Sequence, residues 1–309
     1  MISDKVLGAY AAVGARAPSE QAEWYSRACS EWKIDTFEIP LLGGVPLAPE
    51  LVEALAGGSA SLVVTMVAQW ATKGQESPGY GLSSLDEGLR REALLDVQSA
   101  IQQCLTLQRA GIGIRAIELH TGRRTGSAVA HAVSFARSLQ ELAGAAAAAL
   151  PDCRLTVEVT DSLPPEHPIA FPGAKKASLT TEELIEAVAA VNLGSPCLPI
   201  SLVLNWGRLL INGDRPLDVV GQVLASPVPL GGVILSGANP TPDGFADAHN
   251  SHLDPGGGFT GEDGRACAEA LQAAGDSCFI GMKCGVTSSA GDLTPEQVLA
   301  AEAEFLDSV

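Results

Sequence analysis

The chain is poor in aromatic residues, poor in basic residues, and has no long apolar run. Phe, Tyr and Trp make up 5% of its 309 residues, so its core must come mainly from aliphatic side chains. Only 19 Lys and Arg stand against 36 Asp and Glu, a formal charge of −17. A surface of that sign repels phosphate backbones and anionic bilayers, which argues against nucleic acid or membrane as a partner. No stretch approaches the roughly 18 uninterrupted apolar residues of a membrane span. The first ten residues lack the apolar segment of a signal peptide.

The seven cysteines are odd in number and widely spaced, with no Cys-x-x-Cys. They read as reduced, mostly buried thiols of a cytoplasmic protein rather than as a zinc site or a disulfide framework. Gly231-Gly-Val and Pro255-Gly-Gly-Gly258 lack the setting of a dinucleotide fingerprint, and there is no Walker-type Gly-Lys-Ser/Thr, so no nucleotide cofactor is expected. A Gly-x-Ser-x-Gly elbow is absent as well.

What is present is alternation. Short apolar runs at residues 6–10, 36–41, 62–69, 114–120, 155–161, 200–205, 232–236 and 278–286 are separated by helix-patterned segments. Several runs are continuously apolar, as for strands covered on both faces. Ser19 is expected to cap one helix, 86–109 and 127–150 read as long amphipathic helices, and Thr294-Pro-Glu-Gln297 reads as a capping box. Eight strands alternating with helices over about 250 residues or more predict an α/β protein built as a (β/α)8 TIM barrel, one domain over 1–309. Three connections are long, at 73–85, 162–178 and 238–262. Each follows a strand, so each is expected to roof the C-terminal face as a binding loop.

The strand ends then deliver the chemistry. They carry Glu38, Gln69 and Trp70, Glu118 and His120, Glu158 and Asp161, Asn205 and Arg208, then Asp247, His249 and His252, and finally Lys283. Strand alternation puts Glu118 and His120 on one face. A buried carboxylate such as Glu158 needs a partner. Lys283, set between Met282 and Cys284, needs one too, and a Glu158–Lys283 bridge is the simplest pairing. A sharper alternative is a desolvated Lys283 of lowered pKa, able to form a Schiff base. Arg123 and Arg124 in a Gly-flanked turn suit a carboxylate or phosphate, or else a solvated surface pair. Trp70 and Trp206 are placed to stack on a sugar ring or to plug the core.

The order His120-x-Gly122 after the fourth strand, Val157-Glu158 on the fifth, Asn205-Trp-Gly-Arg208 after the sixth, and Asp247-Ala-His249 with Pro255-Gly-Gly-Gly258 after the seventh resembles the xylose isomerase-like barrels. That superfamily holds sugar isomerases, epimerases and the endonuclease IV relatives, and the chain most resembles a bacterial branch of it with no assigned reaction. The resemblance implies a site at the C-terminal strand ends and a divalent metal, with Glu158, Asp247 and His249 matching ligand positions. Asn205 and Arg208 stand where Asp and His are expected, and Lys283 where the last Glu is expected. Asn is a weak ligand and protonated Arg and Lys are none, which weighs against the metal.

The expected activity is isomerisation or epimerisation of a sugar or sugar acid. Glu158 or His120 would act as base and Lys283 as the cation, with Glu118, Arg123, Arg124, Asn205, Arg208, Trp70 and Trp206 binding substrate. The alternatives are a metal-free lyase or aldolase using Lys283, and a non-catalytic sugar-binding barrel. The expected partner is a small-molecule substrate; a homo-oligomer is left open.

Overall fold

Eight parallel strands close on themselves in a computed structural model that describes residues 2–162, 176–194, 199–274, 278–286 and 293–309. They are β1 (Ile2–Leu7), β2 (Thr36–Pro40), β3 (Ser61–Thr65), β4 (Gly113–Leu119), β5 (Arg154–Val159), β6 (Ser201–Asn205), β7 (Leu230–Leu235) and, after a hairpin of β8 (Gly237–Thr241) and β9 (Gly244–Asn250), β10 (Cys278–Met282). The order around the barrel is β1-β10-β7-β6-β5-β4-β3-β2. This is the (β/α)8 barrel the alternation predicts, with helices forming the outer layer.

Period-two alternation sorts the side chains. Val6, Val63, Ala116, Val203, Ile234 and Phe279 fill the inside as their own buried cluster. Their sequence neighbours, such as Val64, Ile117, Leu204 and Leu235, join the larger core between barrel and helices. The apolar filling stops one layer short of the top. Two residues beyond Val63, Ala116, Val203 and Ile234, hence on the same inner face, stand Thr65, Glu118, Asn205 and Ser236, and two beyond Gly281 stands Lys283. The barrel is thus plugged below and polar above.

Two glycines make this filling possible. A Cβ on Gly232 would lie 2.4 Å from the Phe279 ring, and one on Gly8 would lie 2.8 Å from the Lys283 Cβ. Side chains at either position would displace the plug or the lysine.

Several boundaries differ from expectation. The first strand begins at Ile2 and ends at Leu7, and Tyr10 opens a short helix (Tyr10–Val13) at its exit. The third strand ends at Thr65, and a helix over Val67–Glu76 carries Gln69 and Trp70. An apolar run at the top of a barrel strand fits either a strand or the first turn of a helix, so periodicity alone misplaces the end. The helix beginning near Ser19 starts at Pro18 instead, with Ala17 in the cap position and no side-chain cap; proline's fixed φ suits the first turn. The 86–109 and 127–150 helices appear as Glu87–Arg109 and Ala128–Ala149, capped by Asp86 and Ser127. Of the 162–178 connection, residues 163–175 lie outside the described ones, as does His167. Among the described cysteines, Cys104, Cys153, Cys267, Cys278 and Cys284 are buried free thiols and Cys29 is half-buried.

The 238–262 connection is not a structureless loop. Pro242-Asp-Gly244 turns β8 back onto β9, with Gly244 at φ +135°. The hairpin register jumps from Gly237↔Asn250 to Ala238↔Asp247, so Ala248 and His249 are bulged. His249 sits at φ +56°, a left-handed conformation rare for a side chain with a Cβ and typical of functional bulges. A bond from the Gly285 amide to the His249 carbonyl, 2.8 Å, holds it against the segment that follows Lys283.

Candidate active site at the mouth of the barrel

Lys283 is the centre. Its Nζ donates to Glu38 Oε1 at 2.9 Å and lies 3.7 Å from Glu158 Oε1. Lys283, Glu38 and Glu158 are all buried. Burial alone would push the ammonium down, but Glu158, Glu38 and the further acids around it hold it well above the ordinary lysine value. The lowered pKa needed for Schiff-base chemistry is therefore contradicted, because two carboxylates face the amine where none was certain from sequence. The nearest partner is also Glu38 rather than Glu158.

Glu158 is the hub of the next shell. His120 Nε2 meets its Oε2 at 2.6 Å, and Asn205 Nδ2 donates to its Oε1 at 2.8 Å. Burial opposes its charge, yet Lys283, His120 and Arg208 keep the carboxyl well below its usual range. With Nε2 donating to Glu158, the lone pair of His120 lies on Nδ1, a buried atom with no protein partner. Trp70 stacks against His120, centroids 6.5 Å apart and planes inclined by 13°. Asn205 Oδ1 in turn accepts from Ser236 Oγ at 3.3 Å and from the Arg208 amide at 3.4 Å.

Two more acids complete the wall. Glu38 also accepts from Tyr10 Oη at 2.9 Å. Glu118 is fully buried, and among the described residues neither of its oxygens has a partner within hydrogen-bond geometry. Burial, then the charges of Glu38 and Glu158, push it well above the ordinary carboxylate range.

Above this layer lies a ring of ions. Arg208 Nη1 is 3.2 Å from Asp161 Oδ1 and 2.5 Å from Asp247 Oδ2. Lys176 Nζ reaches the same two oxygens at 3.5 and 3.6 Å. His249 Nε2 lies 3.7 Å from Asp247 Oδ1. Burial, with Arg208 and Lys283 nearby, pushes His249 down to about 3, so it is a neutral imidazole at physiological pH.

The residues expected at the site divide accordingly. Glu158, His120, Lys283, Glu118, Asn205, Arg208, Asp247 and His249 converge, with Trp70 against His120. Arg124 is buried and ion-paired with Glu183, 3.4 Å away, tying the fourth loop to the helix Thr181–Gly194. Arg123 is exposed on the same turn. Trp206 is turned into the core: its Nε1 donates to the Gly258 carbonyl at 3.1 Å and its ring packs on Phe259, because its neighbour Asn205 takes the inward direction. Sequence reasoning missed the roles of Glu38, Tyr10 and Lys176. Glu38 was readable as the one charge in an apolar strand; Tyr10 and Lys176 carried no pattern.

The donor set does not fit a divalent ion. The space between Glu38 and Glu158 is taken by an ammonium, and Asp247 is committed to Arg208 and Lys176 rather than to Glu158. Among the described residues, no group of three His, Cys, Asp or Glu side chains is arranged to hold a metal.

Residues 6–295 match the family described as a domain of unknown function, DUF4862. The chain belongs to that family. An uncharacterized protein of Salmonella typhimurium is 27% identical over 241 residues, covering 75% of this chain and 72% of that one. Among solved structures, the 3-keto-D-glucoside 4-epimerase YcjR from E. coli is similar over 100% of both chains at a TM-score of 0.63 and 13% identity. D-psicose 3-epimerase from Clostridium cellulolyticum, solved with D-tagatose, matches 99% of this chain and 97% of its own at 0.62 and 14%. IolI, solved with a zinc atom, matches 98% and 96% at 0.67 and 15%. Identities this low speak for the fold alone, a (β/α)8 barrel shared with these proteins. No helix among the described residues is long and apolar enough to cross a membrane.

Proposed function

We propose that the protein is a sugar or sugar-acid isomerase or epimerase that works through an enediolate and uses Lys283 in place of a metal. The observation that carries this reading is the buried ammonium of Lys283 between Glu38 and Glu158, a fixed cation able to stabilise a developing alkoxide. Structural neighbours named as epimerases of keto sugars support the same class of chemistry.

In this reading His120 Nδ1 takes the proton from the carbon next to the substrate carbonyl. Glu158 orients the ring and stabilises the imidazolium that forms, as a carboxylate does behind a catalytic histidine. The former C–H electron pair becomes the C=C bond of the enediolate, and the carbonyl π pair moves onto its oxygen, which Lys283 stabilises. Returning the proton to the other face gives the epimer; returning it to the neighbouring carbon gives the isomer. Glu118, whose carboxyl burial pushes well above the ordinary range, is the group able to supply a proton to an oxygen.

The test is conversion of a panel of aldoses, ketoses and uronic acids by the purified protein. Glu158→Gln and His120→Ala are each expected to lower turnover by about 100-fold or more. A panel left unchanged by the wild-type protein would overturn the proposal.

A further inference from the structure

The ring of ions above the reaction centre has an asymmetry that bears on the substrate. Two cations, Arg208 and Lys176, share two carboxylates, Asp161 and Asp247. Asp161 is fully buried at the end of β5, whereas the Asp247 side chain is 25% exposed and stands on the bulged hairpin. Bringing an arginine and a lysine together away from water is unfavourable unless an anion lies between them. Asp161 is the deeper anion of the two and Asp247 the more exposed. Asp247 also already presents a carboxylate to the pair, one oxygen meeting both cations, so the cradle fits that group.

The cradle joins the reaction centre directly. The Arg208 amide donates to Asn205 Oδ1, and Asn205 Nδ2 donates to Glu158 Oε1. The cradle and the reaction centre therefore share one hydrogen-bonded chain, Arg208–Asn205–Glu158, beside Lys283.

Resting on the enediolate reading, the geometry points to a sugar acid as the substrate class, with its carboxylate bound by Arg208 and Lys176 after displacing Asp247. In the ligand-free protein Asp247 acts as a stand-in for that carboxylate and draws the hairpin over the mouth. Substrate binding exchanges one anion for another, so the two cations never stand unpaired.

Calorimetric titration of the whole protein with D-glucuronate, D-glucose and glucose 6-phosphate tests this. Glucuronate is expected to bind at least about tenfold more tightly than glucose. Asp247→Ala, which removes the competing carboxylate, should tighten glucuronate by about tenfold and leave glucose unchanged. Lys176→Met should weaken glucuronate selectively, while leaving glucose unchanged. Equal affinity for glucuronate and glucose, or no gain in Asp247→Ala, would overturn the inference; tighter binding of the phosphate would overturn the carboxylate assignment. Turnover separates the two proposals. Neutral sugars converted without uronate preference would leave the enediolate reading standing and the cradle refuted. Selective uronate binding with no conversion of any sugar would do the reverse.

Discussion

Lys283 is the residue on which the site depends. A charge buried among apolar strands survives only with partners, and its partners come from residue 38 and residue 158. Replacing it with Met removes the cation and leaves Glu38 and Glu158 facing each other beside Glu118. At pH 7.5 this should cost about 3–5 kcal/mol of stability in denaturant unfolding. The sign with pH follows from the carboxylates: without the ammonium their folded pKa values rise, so the loss is greatest above that range and shrinks toward pH 5 as they protonate. A loss that is the same at both pH values would mean that Lys283 acts only by filling space.

The need of Glu158 and Lys283 for partners was legible from their apolar neighbours. The identity of those partners was not, because Lys283 and Glu38 are 245 residues apart in sequence and only barrel closure makes them neighbours. Tyr10 was hidden for a local reason, since an apolar residue after a strand reads equally as its continuation.

At the scale of elements, the C-terminal helix (Pro295–Ser308) carries a buried acid outside the site. Its capping box, Thr294 with Gln297, fixes the start, and Val298, Leu299, Glu302, Ala303, Phe305 and Leu306 form its buried stripe. Glu302 falls on that stripe by spacing alone, three and four residues beyond two core positions. Burial pushes its carboxyl up from 4.5 to about 8, partly opposed by hydrogen bonding with Cys284. An acid neutral in the fold and ionised in the unfolded chain weakens the fold as pH rises from about 5 to about 8. Glu302→Gln removes that dependence. Relative to wild type, the variant should gain roughly 3 kcal/mol between pH 5 and pH 8, read from unfolding midpoints at each pH. A constant difference would contradict the burial of a titrating group there. The hairpin teaches the complementary lesson: Pro242-Asp-Gly244 is a turn signal that a reading centred on ligand-type residues passes over.

For the whole molecule, the barrel was the most legible feature because it is specified repeatedly, once by each apolar run and each helix between runs. The rim was less so. A strand's alternation tells which residues share a face, but only the apolar cluster of Val6, Val63, Ala116, Val203, Ile234 and Phe279 fixes which face is inside. Once that is known, the polar layer follows two residues higher on β3, β4, β6 and β7, and four higher after Phe279. The hydrophobic plug also explains why the chemistry is confined to the mouth, in a water-poor layer where one ammonium and several acids act on each other strongly.

The central claim is that this layer generates an enediolate with its own lysine as the cation. The most direct measurement is solvent deuterium incorporation into the sugar and sugar-acid panel, followed by NMR, with protein stripped by a chelator. The account predicts exchange at the carbon beside the carbonyl in the stripped wild-type protein, lost in Lys283→Met. Exchange that appears only when a divalent ion is restored would contradict it.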